Sequence, residues 1–286
     1  MSKREAVDVS WTVNGLRLSG LSWGRPEQPP LLMLHGWLDN AASFALIAPL
    51  LKGFYVVAID LTGHGQSDRR SADAGYQIWD DLPEILGITD QLGWDTFDLL
   101  GHSRGASIAA MLAGAYPERI RHLVLLDAIS PEAVSEQLFP VQMRKFLDQK
   151  PGLLEAKNRV FASMKEAARQ REKGGLSATA ALLLAQRGVE ACKGGLTWTT
   201  DRRLHGASAV KLTAGQNQAV LDHLTMPTLL LLAEGGRVAL HTDFQALAQR
   251  PGFQLETIAG GHHFHMEPPL ASLADRIGFF LQEKSE

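Results

Sequence analysis

The sequence predicts an α/β protein: a mostly parallel sheet with helices on both faces, an N-terminal antiparallel hairpin, and a helical cap inserted late in the chain. Three observations predict it. Five short runs, 31–34, 55–59, 97–100, 123–126 and 228–232, are almost wholly apolar and do not alternate, as strands covered on both faces require. Helix-length segments lie between several of them. From about 131 to 205 the alternation stops and helical segments follow one another.

In chain order, 7–13 and 16–23 flank Asn14-Gly15, a strong two-residue hairpin signal. Segment 78–92 has apolar residues at 78, 82, 85, 86 and 92, a spacing that gives a helix one buried face. Segment 106–115 is small and apolar all round, suited to close packing on a sheet. Three helices are expected at 131–148, 153–173 and 177–192, ended by Pro151-Gly152, Gly174-Gly175 and Gly194-Gly195. A last strand at 253–258 leads to a terminal helix at 270–281, which Pro268-Pro269 precedes. The core therefore comprises 1–130 and 206–286. The block 131–205 reads as a cap over the sheet's carboxyl edge, its alternative being plain helical packing.

Composition narrows the function. Among 286 residues, 28 Lys and Arg against 31 Asp and Glu leave a net charge of −3 with no basic block. That balance argues against nucleic acid or an anionic membrane as partner. Apolar residues at 45% and charged residues at 21% are ordinary globular values, so the chain is not largely disordered. The single cysteine, Cys192, excludes an internal disulfide framework and a cysteine-rich zinc module. The first residues lack a signal peptide's apolar core, and no apolar run nears the roughly 20 residues of a membrane span. The expectation is a soluble cytoplasmic protein, monomer or homo-oligomer.

The sharpest chemical signal is Gly101-His102-Ser103-Arg104-Gly105 between an apolar strand and a helix. A strained turn there needs small flanking residues, and it lifts the Ser103 hydroxyl to a helix amino end that favours developing negative charge. A glycine-lined turn with Ser103 as a simple N-cap gives the same pattern. A serine nucleophile needs a base. Of ten histidines, His262, His263 and His265 lie in a Gly-rich loop after the last strand. His102 adjoins Ser103 but the turn sends it elsewhere, and His35 and His64 sit in turns. The three clustered imidazoles also read as metal ligands, though neither an HExxH spacing nor a cysteine pattern accompanies them. A carboxylate must orient the base. Asp127, ending the strand 123–126, is the first candidate; Glu234 is the alternative, with Asp243 behind it. The backbone N–H groups of Arg104 and Trp37 are the expected oxyanion donors. Leu153, Leu154, Phe161 and the run 182–184 either line an apolar pocket or pack cap helices together. The Arg104 side chain either binds a substrate anion or is paired locally.

These residues resemble the α/β-hydrolase superfamily along nearly the whole chain. Leu34-His35-Gly36-Trp37 resembles its oxyanion loop. The stretch from Asp60 to Asp68, with Gly63, Gly65 and Ser67, resembles its D-x-x-G-x-G-x-S turn, which makes His64 and Ser67 structural. The five residues around Ser103 match its nucleophile elbow, and Gly261-His262 with Glu267 resembles its histidine loop. One departure stands out: Gly236 occupies the place where the family usually keeps its acid, while Asp127 matches the position one strand earlier used by some members. His-Gly-Trp-Leu-Asp-Asn at 35–40 and Leu-Leu-Asp at 125–127 are similar to the serine hydrolase-like proteins.

The resemblance implies a carboxylesterase-like serine hydrolase acting on a small to medium hydrophobic ester. Ser103 is its nucleophile, His262 its base, Asp127 its acid, and no metal or organic cofactor is involved. Lactone, thioester, amide or carbon–carbon bond cleavage by the same triad, and a ligand-binding sensor with little turnover, are the alternatives.

Overall fold

The computed structural model describes residues 5–236 and 247–283. In chain order its strands are β1 (Val7–Val13), β2 (Leu16–Trp23), β3 (Pro30–Leu34), β4 (Tyr55–Ile59), β5 (Phe97–His102), β6 (Ile120–Leu126), β7 (Val160–Phe161), β8 (Val189–Cys192), β9 (Gly195–Trp198), β10 (Thr228–Gly235) and β11 (Phe253–Gly261). The described α-helices are α1 (Leu82–Gln91), α2 (Arg104–Ala115), α3 (Phe139–Glu155), α4 (Met164–Glu172), α5 (Ala178–Gly188), α6 (Ala214–Asp222) and α7 (Ala271–Phe280).

Eight strands form one sheet in the order β1-β2-β4-β3-β5-β6-β10-β11. β1 and β2 are the expected hairpin, and β2 runs antiparallel to β4. From β4 onward every pairing is parallel. The continuous apolar runs are explained by the pleat: Leu32, Leu34 and Leu99 pack on one face with Ile85, Ile88 and Ile108. Leu31, Met33 and Leu100 pack on the other with Phe44, Ile277 and Phe280. Each such side chain, fully removed from water, contributes about 1.5–3 kcal/mol of burial. Both faces are dry, so both alternate positions along a strand favour apolar residues, and a polar exception, Asp98 in β5, is paired with Arg121 and His122.

The segment between β6 and β10 differs from the expected all-helical cap. Its part up to residue 205 holds three helices, α3 to α5, and also a three-stranded antiparallel sheet in the order β7-β9-β8. Gly194 and Gly195, read as a helix stop, instead serve the β8–β9 hairpin: Gly194 lies in its Lys193-Gly194 turn at φ 95°, and Gly195, at φ 146°, opens β9 opposite Cys192. The expected helix 177–192 accordingly ends at Gly188. α3 begins at Phe139 and runs through Pro151-Gly152. Ser163 and Ser177 cap α4 and α5, their hydroxyl oxygens accepting the amides of Glu166 and Ala180. α1 also starts later than the apolar period indicates, because Pro83 fits only a first helical turn. α6, with a complete capping box from Thr213 and Gln216, adds a helix the apolar pattern did not mark.

Many polar bonds tie this inserted segment to the core, among them the following. Arg187 of α5 pairs with the buried Asp60 at 2.9 Å. Asn40 donates to the Leu184 carbonyl at 2.9 Å, and Trp37 Nε1 to the Leu204 carbonyl at 2.9 Å. Glu267 accepts the Ser177 amide at 3.1 Å. Among the described residues, no helix is long and apolar enough to cross a membrane.

Candidate active site

β5 ends at His102 and α2 begins at Arg104, leaving Ser103 alone in the turn at φ 53°, ψ −119°. A non-glycine residue at positive φ costs of order 1–3 kcal/mol and persists only where its surroundings over-determine it. They do so here. A Cβ on Gly101 would overlap the Gly105 carbonyl, and one on Gly105 would overlap the Leu34 carbonyl. The Ser103 amide is held by the Leu126 carbonyl at 2.9 Å. Asp127, directly after β6, repeats the device: φ is 51°, its amide donates to the Leu231 carbonyl at 2.8 Å, and its side chain is fully buried.

His262, directly after β11, joins the two. Its Nδ1–H donates to Asp127 Oδ2 at 2.5 Å, and its Nε2 lies 2.9 Å from Ser103 Oγ. The Ala233 amide donates to Asp127 Oδ1 at 2.9 Å, so both carboxylate oxygens are engaged. The carboxylate thus selects the tautomer that leaves Nε2 free to take the Ser103 proton. Glu234, the alternative acid, points to solvent from β10 and contacts none of these groups. Asp243 lies outside the described residues. Gly236 lies against the carboxylate: a Cβ there would overlap Asp127 Oδ1. The space a side chain would take at 236 is filled by the acid from β6.

The loop 35–40 closes the other side of Ser103. His35 donates from Nδ1 to the Gly36 carbonyl at 2.7 Å and accepts the Leu61 amide at Nε2 at 3.0 Å. His64 donates to the Thr62 carbonyl at 3.0 Å and accepts the Leu38 amide at 3.2 Å. Burial pushes both imidazoles below their ordinary pKa, so they stay neutral, as two-sided hydrogen bonding demands. Both are supports that lock Leu38 at φ 63°. The Trp37 amide donates to no backbone carbonyl among the described residues, and Arg104, first in α2, has no intrahelical acceptor. Its side chain turns away: it meets the Gln77 carbonyl at 3.2 Å and Asp81 at 3.9 Å and lines a separate cavity.

A second polar cluster backs His262, and sequence reasoning missed most of it. His102 is fully buried, its ring centroid 4.7 Å from that of His262. It donates from Nε2 to the His262 carbonyl at 2.8 Å, which leaves Nδ1 as an acceptor. Asp39 is also buried, 3.4 Å from His263 Nε2 and in contact with the Arg171 guanidinium. Burial alone would raise its pKa, but the His263 and Arg171 partners hold it well below the usual carboxylate range. Asp39, His102 and His263 bring ligand-type atoms within 4.8 Å of one another, the grouping most able to hold a metal. Arg171 already neutralises its only carboxylate. The three loop histidines do not converge on one point: His265 turns to Ser43 at 2.8 Å and His262 to Asp127. The one signal for Asp39 was its place in the His-Gly-Trp-Leu-Asp-Asn stretch; Arg171 had none.

Ser103, His262 and His263 open onto a cavity of about 320 Å³ whose other walls include Trp37, Asn158, Arg171, Trp198, Thr200 and Arg202. The apolar residues expected to line it do not. Phe161 and Leu184 are buried in the inserted segment's own core, Leu154 and Leu182 are exposed, and Leu153 lies at two other cavities. Phe161 and Leu184 pack the insertion's elements together, and the wall over the serine mixes polar side chains with Trp37, Leu176 and Trp198.

The profile of the alpha/beta hydrolase fold matches residues 29–269. The chain is 31% identical to a serine hydrolase-like protein of Danio rerio, over 99% of this chain and 90% of that one. It is 31% identical to serine hydrolase-like protein 2 of Homo sapiens, over 93% and 90%. Among solved structures, a hypothetical protein of Pseudomonas aeruginosa aligns with TM-score 0.91 at 37% identity, covering 96% of this chain and 99% of that one. A thioesterase domain from the curacin biosynthetic pathway aligns with TM-score 0.83 at 26% identity, covering 96% and 99%.

Proposed function

The chain belongs to the α/β-hydrolase family, and from that premise we propose that it is a serine hydrolase that cleaves carboxylic esters, and thioesters by the same route, through an acyl-enzyme on Ser103. The observation that carries this reading is the unbroken chain Ser103 Oγ, His262 Nε2, His262 Nδ1, Asp127 Oδ2, with links of 2.9 and 2.5 Å. As the Ser103 oxygen attacks the carbonyl carbon, His262 takes its proton and Asp127 stabilises the imidazolium. The carbonyl oxygen gains negative charge beside the Trp37 and Arg104 amides, each worth about 10²–10³ in rate when preorganised. His262 then protonates the leaving alcohol or thiol. Water, deprotonated by His262, attacks the acyl-enzyme carbonyl and releases the acid and free Ser103.

In this reading residues 1–130 and 206–286 form the catalytic core and 131–205 the cap. Asn158, Arg171, Trp198 and Thr200 over the cavity support that role for the insertion. The similarity to a thioesterase domain at 26% identity supports thioesters as a second substrate class. A ligand-binding sensor would need no serine hydrogen-bonded to an oriented imidazole. The test is turnover of p-nitrophenyl butyrate and of a butyryl thioester by wild type and Ser103→Ala. The expected result is hydrolysis of both, falling about 10⁴-fold or more in the variant. Equal rates in the two proteins would overturn the reading.

A further inference from the structure

The cavity over Ser103 carries more fixed positive charge than its acid balances. Arg159, Arg171 and Arg202 line it, against the single carboxylate of Asp39. Two of the three cations are committed. Arg171 contacts Asp39, and Arg159 pairs with Glu166 at 2.8 Å. Arg202 is not: its side chain has no partner among the described residues, and its Nε is buried without an acceptor. The adjacent carboxylate, Asp201, is taken by Arg203 at 2.7 Å and the Tyr76 hydroxyl at 2.9 Å.

Arg202 is nonetheless held in place. It opens a tight turn, Arg202–His205, whose Arg203 amide is capped by the Asp201 side chain. The turn is anchored to the core by Trp37 donating to the Leu204 carbonyl. His205, on the same turn and in the same cavity wall, is pushed below its ordinary pKa by burial and then by Arg202 and Arg171. Besides burial, the lowered pKa of that imidazole registers the same positive field.

A guanidinium with a desolvated, unpaired N–H is unfavourable until an acceptor arrives. Its planar fork matches carboxylate, sulfate and phosphate, which accept two parallel hydrogen bonds. We propose that the substrate of this hydrolase is an ester or thioester bearing an anionic oxyacid group a short distance from the scissile carbonyl, and that Arg202 binds that group while Trp37 and Trp198 flank the carbon chain. This rests on the serine hydrolase reading and replaces the neutral hydrophobic ester with an anionic one.

Two matched substrate pairs test it. Mono-p-nitrophenyl glutarate against p-nitrophenyl valerate places the anion in the acyl half. The butyryl ester of 4-hydroxybenzoate against phenyl butyrate places it in the leaving group, and sulfonate and phosphate analogues of that pair rank the oxyanions. The readout is the ratio of kcat/KM values within a pair. The expected ratio in one pair is about ten- to a hundredfold in favour of the anion, falling towards one in Arg202→Gln and retained in part by Arg202→Lys. A ratio near one in both pairs, or a preference untouched by Arg202→Gln, overturns the proposal. Turnover of no ester at all would instead break the hydrolase reading. The site is then read without chemistry: glutarate raises the Tm of Ser103→Ala and not that of Ser103→Ala with Arg202→Gln, and an equal shift in both, or none in either, overturns it.

Discussion

The sheet edge that carries the reacting groups and the inserted segment that walls the cavity are built by different means. At the edge, Ser103 and Asp127 are fixed by the backbone. Both sit at positive φ, both amides are tied to neighbouring strands, and overlap with carbonyls forbids a side chain at Gly101 or Gly105. In the insertion, side chains hold the structure: Asn158 donates to the Trp198 and Thr200 carbonyls at 2.7 and 2.6 Å, and Asp201 caps its own turn. The difference teaches that, under the proposed function, chemistry and recognition are separable in this molecule. Groups that must meet within tenths of an ångström are set by strained main chain, which no single surface substitution can retune. Groups proposed to select the substrate, such as Arg202, ride on turns whose side chains can change without moving Ser103 or His262.

The comparison breaks if the edge tolerates change. Asp127→Asn leaves the shape of the site and removes the acceptor that fixes the His262 tautomer, so kcat for an ester is expected to fall about 10⁴-fold. Glu234→Gln, on an exposed side chain, is expected to match wild type. Steady-state kinetics on the two purified variants decides between them; the reverse pattern would move the acid to Glu234.

A smaller effect is expected at Gly236, where a methyl group meets the Asp127 carboxylate. Gly236→Ala should lower kcat about a hundredfold by displacing the acid, as misplacements near 1 Å do, with little loss of Tm. The pair Asp127→Gly and Gly236→Asp sharpens the point. Glycine suits the positive φ at 127, and the new carboxylate starts from the vacated space, so the double variant should exceed Asp127→Gly alone. Equal rates for those two would show that position 236 cannot orient His262.

The smallest effect concerns stability. His35, His64, His102 and His265 are buried, and desolvation depresses the pKa of each below the ordinary 6.5. They stay neutral in the folded chain, whereas the unfolded chain takes up protons below that pH. Their contribution is therefore full above pH 6.5 and declines as pH falls below it. Asp39, depressed from 3.8, withdraws its own contribution only lower still. Thermal unfolding between pH 7.5 and 5 should show a falling Tm, with a shallower slope in His64→Gln. A Tm that rises on acidification would contradict buried neutral imidazoles.

Much of the edge was legible because its demands are local. A strand end, a glycine on each side of Ser103 and a helix start lie within a few residues; Asp127 directly follows an apolar run, and His262 follows the last strand in a Gly-rich loop. The parallel sheet was legible for the same reason: burial on both faces erases alternation within each strand. The insertion was not, because strands as short as β7 show no period and Gly194-Gly195 serves a hairpin as readily as a helix end. Contacts between distant residues left no pattern either. Asp39 meets Arg171, and Asp60 meets Arg187, only after the insertion folds back over the sheet. Arg202 drew no notice in the sequence, since what distinguishes it is the partner its neighbour Arg203 takes from it.

The central claim is that Ser103 is an activated nucleophile, and intact-mass analysis after fluorophosphonate treatment tests it most directly. Ser103 Oγ attacks phosphorus and fluoride leaves, so one phosphonyl adduct is expected on wild type, and none on folded Ser103→Ala. An unmodified wild-type protein, or an adduct of equal extent on the variant, would contradict the account.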